Sequence, residues 1–436
     1  MIMLGFKTAI GLSIVVLLIS ALIIRGRKPQ IPIWSVMAFA SFITIASGLV
    51  NTDELGSVID LDVILFLIGM FSITGLAESS GLLNTMTAWF LGLFKNTKLL
   101  IYAFSALFGL LAAIAMNDTV ALIGPPMAYT IAKALDINPT AMFLLLAYSL
   151  TIGSAMTPIG NPQNVLIAEK SGLTAPFLKF TAYLTIPTII NLLVTPLIVA
   201  KYYGIERSSA NGVLIMPHEQ LKNKRDAVLA GIGMAVSISA LIVNDTLDLM
   251  GLPHISHRGF IPFVIAAALY PLSSEPRKVI ASVDWGTILF FMTMFISMEG
   301  VWRSRLLDFL VSAFLPVKHL DVAVNIASIT ALSILGSQLI SNVPFARLII
   351  EYMKSVGYTG GDELSWITLA MSTTIAGNLT PLGAASNIII IEYLESKMNT
   401  TITFKEFLKL GAIVTAVNAL VYMALLEAEF YLTTHH

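Results

Sequence analysis

Four short polar stretches interrupt otherwise apolar sequence, and their residue types limit the chemistry they can perform. The first is Asn117-Asp118-Thr119, with Gly124, Pro125 and Pro126 shortly after it; the second is Thr157-Pro158-Ile159-Gly160-Asn161-Pro162-Gln163-Asn164. Ser341-Asn342-Val343-Pro344 resembles the first, and Thr380-Pro381-Leu382-Gly383-Ala384-Ala385-Ser386-Asn387 resembles the second. Amides, hydroxyls, glycines and one carboxylate can hold ions and oxyanions but offer no activated nucleophile. A helix broken inside a bilayer is tolerated only where it is buried in protein or lines a cavity. Both kinds of interruption are therefore expected to stop helices at a binding site, and the chain contains that site twice.

Asp118 is the sharpest single signal, because an ionisable residue at membrane depth is costly and marks function by default. It is assigned to proton or ion coupling, with an N-cap carboxylate as the competing role. Asn164 and Asn387, at matched positions, either ligate substrate or cap their half-helices, while Gly160 and Gly383 are expected to permit the backbone turn. Asn117, Thr119, Thr157, Asn161, Ser341, Asn342, Thr380 and Ser386 complete the candidate substrate and ion ligands, with Na⁺ assigned to Asn117, Asn342 and nearby carbonyls. Half-helix N-termini after Asn117-Asp118, at Pro162 to Asn164, after Asn342 and near Ser386 would present free N–H groups to an anion. Carbonyls near Met116, Thr157, Ile340 and Thr380 suit Na⁺ or a proton-bearing water. Arg347 either attracts an anion, snorkels to the interface or pairs with Glu351 one helical turn on. Glu169 and Glu392, matched beyond the breaks, are expected near an interface, and Asn191 and Asn418 are expected to hydrogen-bond between helices.

Composition defines the setting. The 436 residues are 56% hydrophobic and 12% charged, with net charge −1 and mean hydropathy +0.85, far from globular averages. This is an all-α polytopic membrane protein with no basic patch for nucleic acid. The chain has no cysteine, which excludes disulfides and thiolate chemistry. Its histidines (His218, His254, His257, His319, His435, His436) fall in expected loops or at the terminus, so neither a histidine relay nor a metal site is read from them. No HExxH or G-x-S-x-G motif points to an enzyme, and no cofactor is implied beyond a coupling ion, H⁺ or Na⁺.

The elements that must position these residues follow from hydropathy. Spans are expected near 3–24, 31–50, 63–79 and 175–200, with an amphipathic stretch at 82–94, a re-entrant hairpin at about 97–134 and a broken crossing at about 139–168. The first span is read as a retained helix and not a signal peptide. Residues 201–226 form a polar linker, and the scheme then returns: spans near 227–244, 259–272, 286–301 and 408–432, an amphipathic stretch at 304–314, a hairpin at about 322–356 and a broken crossing at about 364–394. Residues 1–200 and 227–436 are thus two repeats at a spacing of about 224 residues, as duplicated units reveal themselves. Asp60 begins DLDVILFLIGMF and Asp284 begins DWGTILFFMTMF; Asn117 matches Asn342; TPIGNPQN-VLIAE matches TPLGAASN-IIIIE; and the region of Asn191 matches that of Asn418. Five crossings per repeat, an odd number, invert the second repeat. Arg25, Arg27 and Lys28 follow the first span, whereas Asp53, Glu54, Asp60 and Asp62 carry the next loop, which places the first loop and the 201–226 linker in the cytoplasm and both termini outside.

The Gly-Asn-Pro-Gln-Asn at 160–164, the Asn117-Asp118 tip and the Ser341-Asn342-Val343-Pro344 tip resemble the ion transporter superfamily, most of all its arsenite-permease branch and related anion permeases. More distantly they resemble divalent-anion sodium symporters and NhaD-type sodium/proton antiporters. The resemblance covers both halves and implies a scaffold domain and a transport domain, usually in a homodimer, working by alternating access in a prokaryotic plasma membrane. It implies an ion-coupled secondary transporter of a small inorganic or organic anion. Arsenite or antimonite efflux by proton antiport is the first specific candidate, with a separate ATPase subunit as partner if the protein is part of an arsenite pump. Sodium/proton antiport and sodium-coupled divalent-anion symport are the alternatives. One departure matters: the sodium symporters carry Ser-Asn-Thr at both tips, whereas Met116-Asn117-Asp118 and Ser341-Asn342-Val343 lack part of that hydroxyl set, which favours a proton carried by Asp118.

Overall fold

The computed structural model describes residues 5–25, 32–94, 96–205, 221–306, 318, 321–398 and 401–434. Arg27, Lys28, residues 206–220 of the linker, the amphipathic stretch from residue 307 onward, and His218, His319, His435 and His436 lie outside the described residues. Every regular element among those described is helical. Numbering helices longer than six residues, the first half comprises α1 (Phe6–Arg25), α2 (Ile33–Ala46), α3 (Leu61–Ser79), α4 (Leu82–Gly92), α5 (Thr97–Ala115), α6 (Asn117–Ala134), α7 (Pro139–Ser154), α8 (Pro162–Lys170) and α9 (Pro176–Tyr203). The second comprises α10 (Lys224–Leu249), α11 (Phe260–Leu272), α12 (Trp285–Arg303), α13 (Val322–Ile340), α14 (Asn342–Ser355), α15 (Glu363–Ile375), α16 (Ala385–Met398) and α17 (Phe404–Thr434). Six of these (α3, α9, α10, α12, α13 and α17) are long and apolar enough to cross a membrane.

Packing is reciprocal between the halves. Helix α2 packs on α12 while α3 packs on α11, α5 on α7 as α13 on α15, and α6 on α16 as α14 on α8; α9 meets α17. Small residues let backbones approach, as expected where lipid supplies no hydrophobic drive between helices. A Cβ on Gly153 would collide with the backbone of Gly109, fixing the α5–α7 contact. Where α9 and α17 meet, Asn418 Nδ2 donates to Asn191 Oδ1 at 2.9 Å and to Thr195 Oγ1 at 3.3 Å, as the sequence predicts for this pair.

Polar contacts sort the helix ends into two groups. At one end Asp60 pairs with Lys170, Lys179 with Glu363, Arg303 with Glu54 at 2.6 Å and Lys318 with Asp362 at 3.0 Å. At the other, the Ser80 carbonyl accepts from the Lys222 and Asn223 amides, Arg225 donates to the Leu272 carbonyl and Tyr203 to Glu406. Helix α3 therefore runs from the Asp60 end to the Ser80 end, and α12 runs back.

The Pro125-Pro126 pair does not stop a helix: α6 continues through both to Ala134. Proline lacks the N–H that its turn would donate, but the adjacent Gly124 lies flush against Leu146 of α7, and packing on both sides holds the helix together.

Candidate functional site

Both hairpin tips turn on one non-glycine residue with positive φ, Met116 (φ 62, ψ 133) and Ser341 (φ 75, ψ 158). Such conformations cost of order 1–3 kcal/mol and gather where surrounding structure enforces them. The two broken crossings repeat each other as closely: Thr157 has φ −133, ψ 158 and Thr380 has φ −134, ψ 157. Gly160 and Gly383 are not there for the turn, since neither has positive φ. A Cβ on Gly160 would strike the Ser154 backbone and one on Gly383 the Gly377 backbone, so close approach is what requires glycine.

The four breaks converge on one cavity of about 300 Å³. Asn117 and Asp118 from the first tip, Pro162 and Gln163 from the first broken crossing, Ser341, Asn342 and Val343 from the second tip, and Leu382 to Ala385 from the second crossing all line it. The N-termini of α6, α8, α14 and α16 are thus brought to the same space. The cavity extends past Asp284 and Thr287 of the α12 start, Trp34 at the start of α2, and Glu392 of α16, where Trp34, Asp284 and Glu392 are exposed. No lysine, arginine or histidine is among its described lining residues.

Within this set the amides divide in two. Asn161 caps α8, accepting from the Asn164 amide at 2.9 Å, and donates to the Ser154 carbonyl and Thr374 Oγ1. Asn164 donates to the Ser154 and Thr157 carbonyls and accepts from Thr374 Oγ1 at 3.1 Å. Thr157 donates to the Ala113 carbonyl, Thr380 to Gln338 Oε1 at 2.8 Å, and Asn387 Nδ2 to the Gly377 carbonyl. These residues, with Gly160, stitch the breaks and are not among the cavity lining. Thr119 lies 3.4 Å from Thr74, oxygen to oxygen.

The tip amides behave differently. Neither Asn117 nor Asn342 lies at a cap position, since Met116 and Ser341 hold those places without a side-chain cap bond. Their side chains are 5% and 4% exposed, and both Oδ1 atoms lack a hydrogen-bond partner, as do Asn387 Oδ1 and Ser386 Oγ. Buried acceptors are almost always paired in native proteins. Asp118 also does not cap α6; the backbone amide of Ser386 at the start of α16 faces its carboxylate, joining the first tip to the second crossing.

Sequence reasoning missed Gln163, Trp34, Asp284, Thr287 and Glu392 as lining residues. Asp284 carried a signal, as the head of a repeated segment. Glu392 lies on the cavity, not merely near an interface. Arg347 lies off the cavity, paired with Glu351 and, at 3.3 Å, with Glu299. His254 and His257 sit beside Asp248 and Asp62 respectively, and no group of three or more acidic or histidine side chains that could hold a metal occurs among the described residues.

The profile described as citrate transporter, CitMHS, matches residues 14–374. The chain belongs to the CitMHS citrate transporter family. It is a polytopic membrane transporter of the ion transporter superfamily, as the resemblance implies. An uncharacterized transporter of Mycobacterium tuberculosis H37Rv is 26% identical over 387 residues, covering 86% of this chain and 88% of that protein. The inner membrane protein YbiR of Escherichia coli K12 is 29% identical over 297 residues, 68% of this chain and 72% of that protein. In fold, the chain is similar to the Alcanivorax borkumensis YdaH transporter, with TM-score 0.60 and 13% identity over 98% of this chain and 99% of that one.

Proposed function

We propose that this member of the family is an ion-coupled secondary transporter whose cavity of four helix breaks takes a small oxyacid or oxyanion from the cytoplasmic side. The observation that carries the reading is the meeting of four helix N-termini with two unpaired buried amide oxygens in one space. Helix N-termini favour anionic or strongly accepting ligand oxygens, while unpaired Oδ1 atoms need a donor, a proton carrier or a cation. The reciprocal packing and matched break geometry support two inverted repeats with substrate at their interface, the arrangement that underlies alternating access.

Asp118, Asp284 and Glu392 give the lining negative side-chain charge with no described basic residue opposite. A cleft lined by one sign of charge concentrates ligands of the other or of none. An oxyacid carrying its protons fits this field, which keeps arsenite or antimonite efflux by proton antiport as the first specific candidate, with Asp118 as proton carrier. Citrate, named in the family description, fits only with its charge compensated, as a complex with a divalent cation that the amide oxygens and carboxylates can also face. Sodium/proton antiport remains the reading in which Asp118, Asn117 and Asn342 together ligate a cation.

The test is flux in proteoliposomes across pH with arsenite, sulfate, phosphate, citrate with and without Mg²⁺, Na⁺ and Li⁺. Saturable uptake of one oxyacid or its metal complex, driven by a pH gradient, is the expected result. Cation-dependent proton flux with no response to any anion would overturn the anion assignment and leave the antiporter.

A further inference from the structure

We propose that Asp284 and Glu392 are the coupling acids of the inner mouth, which closes only after they have taken up a proton or a cation. This rests on the transporter reading above and deepens it by assigning the step at which the ion is required.

The inference comes from comparing the two mouths. At the closed end, Asp60 at the start of α3 is paired with Lys170 at the end of α8, and its side chain is only 8% exposed. A second pair, Glu299 of α12 with Arg347 of α14, spans the same seam at 3.3 Å. Repeat alignment assigns each residue a counterpart at the open mouth. Asp60 corresponds to Asp284, Glu169 to Glu392 and Lys170 to Tyr393, while Glu299 and Arg347 correspond to Gly75 and Leu122. Both cations of the closed mouth are thus replaced by uncharged residues at the other; the acids at 60 and 169 keep acidic counterparts in Asp284 and Glu392, while Glu299 has none.

Alternating access in an inverted repeat exchanges the conformations of the halves. When the inner mouth closes, Asp284 at the start of α12 approaches residues 392 and 393 of α16, as Asp60 now lies against Lys170. Opposite it will stand a second carboxylate and a tyrosine. Two carboxylates brought together out of water cannot both stay ionised without a cation between them. Outer closure has an internal counter-ion; among the described lining residues inner closure has none and imports one. The same cavity contains the unpaired, buried Oδ1 atoms of Asn117 and Asn342, which can share an incoming cation or proton.

Other charged and titratable groups on adjoining elements leave this intact. Helix α6 carries Asp118, which adds a third acid, Tyr129 and, at its far end, Lys133. The short helix Pro276–Ala281 preceding Asp284 carries Arg277 and Lys278, the latter held by Glu275 at 2.7 Å. Asp284 itself accepts from the Thr287 amide and hydroxyl of its own helix. Tyr393 stacks on Phe143 of α7 with centroids 6.3 Å apart, which fixes position 393 between α16 and α7.

The test supplies the missing cation. In the cysteine-free chain, Ile389→Cys reports inner-mouth opening through its alkylation by an impermeant thiol reagent from the cytoplasmic face. In the parent, alkylation is expected to slow several-fold on acidification or on addition of the coupling cation. Tyr393→Lys is expected to give slow alkylation without either, with the dependence lost; Tyr393→Phe is expected to retain it. Asp284→Asn, expected to lose the dependence as well, covers the case in which the lysine variant does not fold. Unchanged ion dependence in Tyr393→Lys or Asp284→Asn would overturn the proposal while leaving transport intact. Alkylation in the parent that no pH, ion or substrate alters, together with absent flux, would instead remove the transporter mechanism on which it rests.

Discussion

Asn161 and Asn342 are the same residue type with opposite duties. Asn161 is fully occupied as a cap and a stitch across the first broken crossing. Asn342 leaves a buried oxygen unused at the cavity. Removing a paired buried amide strands its partners, whereas removing an unpaired one strands nothing. Asn161→Ala should therefore destabilise the protein by about 1–3 kcal/mol, combining lost cap and orphaned partners. Asn342→Ala should leave the melting temperature nearly unchanged and abolish saturable uptake. Melting and flux measured on the same two preparations separate the roles, and equal destabilisation by both would make the tip amide structural. Asp118→Asn follows the same logic. It retains size and an acceptor for the Ser386 amide but removes the titratable proton, so substrate binding should survive while accumulation driven by a pH gradient is lost. Unaltered pH dependence of uptake would retire Asp118 as carrier. The sequence identified these residues by type but could not divide them, because the partners that occupy Asn161 range from Asn164 nearby to Thr374 in the other half, and only the fold brings the distant ones together.

At the scale of the element, breaks were easier to read than their causes. Hairpin tips at Asn117 and Asn342 and crossings broken at Thr157 and Thr380 lie where polar residues interrupt apolar runs. The proline pair in α6 misled, because local propensity yields to packing on both flanks. The glycines misled about mechanism, because close approach leaves no mark in sequence that differs from a turn. Gly160→Ala should consequently destabilise by overpacking, about 1–3 kcal/mol in a melting experiment, and a neutral outcome would mean that the crossing can widen. The loop before α11 offers a pH test outside the membrane. The Asp62 carboxylate, hydrogen-bonded to His257 Nδ1 at 2.7 Å, raises the histidine above its ordinary value of 6.5. A raised histidine stabilises the fold fully below its unfolded value and loses that contribution as pH rises through the folded one. The melting difference between the parent and His257→Gln should thus be largest near pH 5.5 and fade above neutrality; a difference that grows with pH would contradict the pairing.

For the whole molecule, the reciprocal packing of the halves was foreshadowed by order, four matched segments in the same sequence along both halves, and order survives where individual apolar residues drift. What the sequence could not supply was the depth of asymmetry between the two ends, since ion pairs such as Asp60 with Lys170 join segments far apart in the chain. Orientation is the property on which the reading of the cavity as cytoplasmic depends. Glu54 pairs with Arg303 at the end where α3 begins, whereas Lys222 and Asn223 meet Ser80 where α3 ends, so Glu54 and Lys224 stand at opposite ends of α3. Basic residues concentrate in cytoplasmic loops, and Lys222, Lys224, Arg225, Arg277 and Lys278 belong to the Ser80 end. Because the chain has no cysteine, Glu54→Cys and Lys224→Cys can each be labelled in intact cells without background. Glu54→Cys should react with an impermeant reagent from outside, and Lys224→Cys only after the membrane is opened. Reaction of both from one side would break the alternation of crossings, and with it the proposed inversion of the two halves.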